Sequence, residues 1–497
     1  SRRLTDEVKF KSVRHRRTPW AIRYQLAAEG QRNKRHEAFA IARKKAYNTV
    51  IMKILNQQIF ENREAAALPG LMESGGLPAL VSGLSGIHRV NLAAALYERL
   101  ELPLLIVCPD DSAAESFSRD LEAMTGEKVN TLYSRDFTFY SSLAASREAE
   151  QKRLYVLNTL RCGESPLTVA TVSALMQRTI PPQTLIKAAF TVKDGESCPP
   201  EELERALVRC GYTRCEQVEG AGQFSRRGGI VDFFSPSYPE PVRIEFWGDD
   251  IDSMGFFDVK TQRRTESVEA CRILPAAESL ATLATGGTEA LTEALTAAAD
   301  KCSRHKSSQQ LRELEQTLRT DIERLRQSVK LEYADRYMPF LYDKASGADF
   351  IPEEAVVFID QPPRCADRAR GFVKQLGDDV GELVKRGILA TDAPSFRISW
   401  EELTGKLSGH AVYMADAFTV GRYPVEPKTL VSIPAKQLPS YAGSVKTAAE
   451  DVSAYLKQGF RVVVLAGDMR RAELLQSFLK DSGIVAYVQE KLERLPG

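Results

Sequence analysis

Histidine, paired cysteine, long apolar runs and net charge are all in short supply in this chain, and each shortage removes a class of function. Five histidines lie scattered over 497 residues without metal-site spacing and far from any distinctive nucleophile motif. The eight cysteines (Cys108, Cys162, Cys198, Cys210, Cys215, Cys271, Cys302 and Cys365) occur singly, with no CxxC pair, which predicts reduced thiols in a cytoplasm. No apolar run approaches the roughly 20 residues that span a bilayer, and the first residues are too polar for a signal peptide, so no membrane is expected as a partner. A net charge of +1 excludes a bulk polyanion partner for the chain as a whole.

That balance hides an asymmetry. Ser1 to Ala65 hold 16 Lys and Arg against 6 Asp and Glu, so the remainder is net acidic. Thr18-Pro19 opens a short helix that Gly30 closes, predicted over Pro19 to Glu29. Phe39, Ala42, Ala46, Val50 and Ile54 then recur at helical spacing, giving a basic amphipathic helix over His36 to Phe60. Two such helices either grip nucleic acid or form a solvated arm, and the lack of interleaved aromatics speaks for the arm. The length calls for three or four domains. A start at Ser1 and a stop at Gly497, just after Leu-Glu-Arg-Leu, suggest a piece of a longer reading frame.

From Leu77 the texture becomes parallel α/β. Strands are predicted over Leu77 to Ser82, Leu102 to Cys108, Leu167 to Thr171, Ala355 to Asp360 and Arg461 to Ala466. Helices are predicted over Val90 to Leu100, Asp111 to Met124 and Arg470 to Ser482. Gly228 to Phe234 and Val242 to Phe246, joined by a Pro-rich turn at Ser235 to Pro241, read as a hairpin on a smaller α+β insertion. Leu311, Leu314, Leu318, Ile322, Leu325 and Val329 mark one face of a long charged helix.

A phosphate loop belongs where a strand turns into a helix, and Gly83-Leu84-Ser85-Gly86-Ile87-His88-Arg89-Val90 follows the first strand. The chemistry needs G-x-x-x-x-G-K-[ST]: glycine for close backbone approach, lysine for the β and γ phosphates, and a hydroxyl for Mg²⁺. His88, Arg89 and Val90 stand at those three positions. Arg89 could still meet a phosphate as a cation, but Val90 cannot ligate magnesium. The later strand ends in Asp360-Gln361, leaving one carboxylate where a hydrolytic site wants more. The expectation is a degenerate loop (Gly83, Gly86, His88, Arg89, Val90) with no catalytic residue, cofactor or metal in this chain.

Gln223-Phe224-Ser225-Arg226-Arg227-Gly228-Gly229-Ile230-Val231-Asp232-Phe233-Phe234, continuing through Pro241 to Asp249 and on to Phe257-Asp258 and Thr261 to Arg264, closely resembles the UvrA-binding domain shared by UvrB and the transcription-repair coupling factors. Phe139-Tyr140, Ser146-Arg147-Glu148, Leu175 to Thr179 and Asp335 to Pro339 resemble the coupling factors specifically. UvrB keeps an intact phosphate loop and a long aromatic β-hairpin, for which Tyr133 to Tyr140 leaves no room before the helix at Ser146 to Leu157. The resemblance implies two RecA/UvrB-like parallel α/β lobes with an inserted α+β UvrA-binding domain, beside a basic helical N-terminal extension. The boundaries expected are 1–66 for the extension, 67–190 for the first lobe, 191–277 for the insertion, 278–380 for a long helix and return to that lobe, and 381–497 for a second, smaller α/β domain.

By position, the resemblance puts the UvrA contacts on Arg227, Arg243 and Trp247, the last commonly Phe in the family. Read from the residues alone, Arg227 and Arg243 could instead pair with Asp232, Glu245 or Asp249 across the hairpin. The function implied is recruitment of UvrA to RNA polymerase stalled at DNA damage, in nucleotide excision repair. Contacts with polymerase and double-stranded DNA, and an ATP- and Mg-dependent translocase motor, would lie outside this chain. The alternative is a UvrB-type ATPase or helicase subunit in which Arg89 replaces lysine; a third reading is a nucleic-acid binder working through Ser1 to Ala65.

Overall fold

The computed structural model describes residues 52–140, 147–304, 308–419, 422–441, 443–466 and 468–489. The helix expected over Pro19 to Glu29 and most of that over His36 to Phe60 lie outside these residues. Fifteen strands are present among those described: β1 (Ala79–Ser82), β2 (Leu104–Cys108), β3 (Asn130–Leu132), β4 (Leu167–Thr171), β5 (Phe190–Lys193), β6 (Thr213–Arg214), β7 (Gln223–Arg227), β8 (Ile230–Phe233), β9 (Val242–Trp247), β10 (Asp250–Phe257), β11 (Arg264–Ser267), β12 (Ala270–Ile273), β13 (Val356–Asp360), β14 (Ala411–Ala415) and β15 (Thr429–Ser432).

Seven of them form one parallel sheet in the order β15-β1-β14-β13-β2-β4-β3. β1, β2, β4 and β13 are buried along their whole length, the condition that turns an alternating pattern into a continuous apolar run. Successive side chains still go to opposite faces. Leu105, Val107, Val357 and Ile359 pack towards the helices Gly287–Ser303, Gln309–Arg326 and Pro362–Lys385. Leu104, Ile106, Val356 and Phe358 pack with the helices Ile87–Leu100 and Asp111–Thr125. The latter helix starts because the Asp110 side chain accepts from Ala113 N, and it stops at Gly126 with φ 71°.

The parallel α/β class with an α+β insertion is as the sequence predicts, and several details differ. Among the described residues, the segment just before 67 already belongs to the first lobe: Asn56 and Ala65 are buried, and the next few residues are tied in by Tyr413 on β14, which donates to Leu68 O at 2.9 Å. β14 and β15, on the far side of residue 381, join the same sheet next to β1. The strand expected over Arg461 to Ala466 does not form: those residues have no ladder partners among the described residues, and Val464 and Leu465 are exposed. The helices Val445–Lys457 and Met469–Asp481 share only a small core of Ala449, Leu479 and Ile484. The long charged helix ends at Arg326, so Val329 lies beyond it and is exposed, while Leu314, Leu318, Ile322 and Leu325 are buried as the spacing predicts.

The insertion leaves and rejoins the lobe through antiparallel β5 and β12, with Phe190 opposite Ile273. Between them lie the helix Pro200–Arg209 and a six-stranded sheet in the order β11-β10-β9-β8-β7-β6, antiparallel except for β6 with β7. Leu203 and Leu207 of the helix bury against Phe224, Val231, Phe233, Val242, Ile244 and Met254. With one face covered, the other is free to carry polar residues, which is why alternation is clean in β9. The predicted hairpin is β8 paired with β9; Gly228 and Gly229 turn instead into the preceding β7, with Gly228 at φ 60°.

Candidate functional site

Period two in the strands decides which side chains share the outer face of the inserted sheet. Phe224, Val231, Phe233, Val242 and Ile244 point into the core, so Ser225, Arg227, Ile230, Asp232, Arg243, Glu245 and Trp247 point away from it. The register sets Arg227 opposite Ile230 and Ile230 opposite Glu245, with Ser225, Asp232 and Arg243 forming the next row. The three residues singled out by sequence therefore share one face, but they are in different states.

Arg243 is occupied. Its Nε and Nη2 donate to Asp232 Oδ1 and Oδ2 at 2.7 and 2.8 Å, its Nη1 donates to Gln262 O at 3.2 Å, and its guanidinium lies 4.7 Å from the Phe257 ring centre. The hairpin salt bridge weighed from sequence is thus realised at Arg243, in the bidentate form that a planar fork favours. Arg227 makes no ion pair among the described residues; its Nε reaches Ser225 Oγ at 3.5 Å. Trp247 is 83% exposed, and Ile230, on the neighbouring strand of the same face, is 38% exposed. Arg227 opposite Ile230, with Trp247 on the strand beyond, puts an arginine, an aliphatic and an aromatic side chain on one face, the make-up of an interface hot spot. The neighbouring Arg226 faces the other way and pairs with Glu201 and Glu204 on the helix Pro200–Arg209, which explains why two adjacent arginines have different fates.

The degenerate loop sits at the carboxyl end of β1, where an open parallel sheet ordinarily holds its ligand. Here the backbone groups are used internally: Gly83 N donates to Ala417 O and Leu84 N to Asp416 O, each at 3.2 Å. Arg89 turns back, donating from Nε to Asp360 Oδ1 at 2.5 Å and from Nη1 to Leu84 O at 3.3 Å. Burial pushes the Asp360 carboxyl above its usual range, and Arg89 opposes that shift. Val90 is buried in the core, His88 is half-buried in the first helical turn, and Gly86 has φ 49°. Asp360 is therefore the partner of Arg89 and neither caps the following helix, whose N-cap is Gln361, nor stands free.

A third cluster was invisible to motif reading. Arg135 donates bidentately to Asp335 at 2.7 and 2.8 Å and to Glu278 at 3.1 Å, and lies 3.6 Å from Glu150, while Arg153 lies 3.1 Å from Glu278. Thr179, Ser279 and the Thr138 amide complete the hydrogen bonding, and Gln177 exchanges bonds with the Arg135 backbone. Arg178, by contrast, holds Tyr342 O and Ser395 O. The pieces at Leu175 to Thr179 and Asp335 to Pro339 thus meet at the root of the insertion, just after β12. The only available signal was their resemblance to the coupling factors, since no spacing in the chain links Arg135 to Glu278 or Asp335.

Comparison with known proteins agrees with this geometry. The UvrB interaction domain family matches residues 190–278, from the first residue of β5 to the buried Glu278. The transcription-repair-coupling factor of Bacillus subtilis (strain 168) is 27% identical over 419 residues, which is 84% of this chain and 35% of that protein. That of Myxococcus xanthus is 34% identical over 208 residues, 40% of this chain and 17% of that protein. That of Staphylococcus aureus (strain USA300) is 24% identical over 420 residues, 82% of this chain and 35% of that protein. The chain thus spans about a third of the length of these relatives. The chain thus carries a UvrB interaction domain seated on its parallel α/β lobe, and along most of its length it is similar to the transcription-repair-coupling factors.

Proposed function

We propose that this module presents the outer face of its inserted sheet to UvrA, so that a coupling factor built on it brings UvrA to RNA polymerase stalled at DNA damage. The observation that carries the reading is that Arg227, without an ion pair among the described residues, and an exposed Trp247 lie on one face of the same sheet. A guanidinium without an internal carboxylate is available to a partner's carboxylate, and Trp247 with Ile230 supplies apolar area around it. Arg243 serves differently: held by Asp232 and Phe257, it is a preset donor that loses little freedom on binding. Contacts with polymerase and DNA, and an ATP-driven motor, are assigned to parts of such a factor beyond this chain. Single, unpaired cysteines support a cytoplasmic setting.

UvrA pull-down tests the reading with wild type, Arg227→Ala, Trp247→Ala and the Arg227→Ala/Arg243→Ala double variant. Arg227→Ala is the cleanest, because it removes no internal pair. Retention should fall at least tenfold for each single variant, about 1.4 kcal/mol or more. Equal binding by all four, or by none, would remove UvrA docking at this face.

The proposed module binds no nucleotide at Gly83 to Val90. Amides that would cradle phosphates donate to Asp416 and Ala417, and the cation at the lysine position is paired with Asp360. Magnesium-dependent ATP binding by wild type that vanishes in Arg89→Ala would favour the UvrB-type ATPase instead.

A further inference from the structure

The loop that occupies the phosphate-binding position is in contact with another part of the chain. Beyond β15, residues 433–437 cross directly over it. Ile433 N donates to Ser82 O at 2.9 Å, and Ala435 N donates to Gly83 O at 3.3 Å. Gly83 has φ 88°, and a Cβ there would lie 2.4 Å from Ile433 O and 3.0 Å from Ile433 C. Glycine is thus required at 83 by the close passage of a peptide backbone. Gly86 comes next along the same path, 3.6 Å from Gln437 Oε1 measured from an added Cβ.

The same few residues continue into the helical segment that follows. Lys436 Nζ lies 5.8 Å from the Tyr455 ring centre, and Tyr441 donates to Asp451 Oδ2 at 3.0 Å; both acceptor residues are on the helix Val445–Lys457. Among the described residues, that helix and its partner Met469–Asp481 share a core of three buried apolar residues, and outside the connecting peptide Arg461 Nη2 donates to Glu61 Oε2 at 2.7 Å on the exposed surface, so little besides that peptide is available to fix their position. Ile433 is buried in the lobe's core and Ala435 packs against it, so the connecting peptide is anchored at its lobe end.

We propose that the Gly83 to Gly86 turn is a peptide cradle: it binds residues 433–437 of its own chain in place of a nucleotide, and thereby sets where the helices Val445–Lys457 and Met469–Asp481 sit against the lobe. The two glycines serve the close approach that a phosphate loop needs, but the ligand is a backbone that presents N–H groups to Ser82 O and Gly83 O. Arg89, bonded to Leu84 O and Asp360, holds the turn in the receiving conformation.

Hydrogen exchange on the intact chain tests the cradle. Gly83→Ala forces Cβ into Ile433 O, and Ala435→Pro removes the donor to Gly83 while leaving the turn untouched. Both should speed exchange in the peptide spanning 430–441 about tenfold or more, while peptides from β2 and β13 keep their protection. Small-angle scattering should show a larger radius of gyration for both variants, as the helical segment moves off the lobe. Gly371→Ala, where an added Cβ meets nothing within 4 Å, is the control and should change neither. If Gly83→Ala fails to fold, Ala435→Pro decides alone, because position 435 lies outside the sheet. Wild-type protection across 430–441 and an unchanged scattering curve in a folded Ala435→Pro variant would overturn the proposal, as would rapid exchange of this peptide in wild type.

Discussion

Glu150 is the surplus charge in the network at the root of the insertion, and replacing it with glutamine should stabilise the protein at neutral and alkaline pH. Arg135 and Arg153 face three carboxyls, Glu150, Glu278 and Asp335, so full ionisation would leave one negative charge without a partner. Asp335 has the best donors, four of them, and is held below its usual range: Arg135 and its hydrogen bonds outweigh the burial. Among the described residues Glu150 accepts only from Glu278 N, at 2.7 Å, and its pKa is pushed from 4.5 to about 7, chiefly by burial, with Asp335 and Glu278 adding repulsion against the pull of Arg135. A carboxyl whose pKa is raised by folding binds its proton more tightly in the native state. Its contribution is therefore fully present below about pH 4.5, is lost as pH rises through about 7, and is flat above that. With ~1.4 kcal/mol for each pH unit separating the native and unfolded pKa values, the loss is on the order of 3 kcal/mol at most. Glutamine keeps the acceptor for Glu278 N and removes the titration. Urea unfolding of wild type and Glu150→Gln from about pH 5 to 8 should give curves that nearly coincide at the acid end and separate in favour of the variant above neutrality. Parallel pH profiles for the two proteins would refute the charge-surplus argument.

Breaking the pair under the relic loop should be costly in one direction. Arg89→Ala leaves Asp360 buried without its cation and should cost about 3 kcal/mol or more, while adding Asp360→Asn should recover part of that loss in denaturant titrations. On the docking face, Asp232→Ala should destabilise by on the order of 2 kcal/mol by freeing Arg243, whereas Arg227→Ala should leave the unfolding midpoint unchanged; calorimetry separates the two. Tyr413→Phe removes the hydroxyl that ties Leu68 O to β14, and about 1 kcal/mol of stability with it. Exchange protection around residues 65–71 should fall in that variant if the segment before residue 72 is part of the lobe core, as Ala65 and Leu68 indicate.

Much of the architecture was legible where burial is one-dimensional. β2, β4 and β13 are buried on both faces, so their apolar runs announce strands, and Asp110 and Gly126 delimit a helix whose caps are local chemistry. The Arg461 to Ala466 run shows the limit of that logic. Val462-Val463-Val464-Leu465 has the composition of a buried strand, yet a strand exists only where neighbours supply a ladder, and none does among the described residues. β14 and β15 are the converse: short segments that become strands because β1 and β13 are there to pair with them.

Sequence by itself determined the missing lysine, hydroxyl and glycine at Arg89, Val90 and His88, because phosphate chemistry depends on residue type at fixed spacing. Through the resemblance it also pointed to Arg227, Arg243 and Trp247, but that the three share a face follows from the strand β7 and the register of β7, β8 and β9. Only the tertiary structure decided that Arg243 is held by Asp232 while Arg227 makes no ion pair among the described residues, that Arg89 closes on Asp360 across 271 positions of sequence, and that residues 433–437 lie over Gly83. Those outcomes depend on distances between segments remote in the chain, and such distances are set by packing of the whole sheet and its insertion, which no local pattern records.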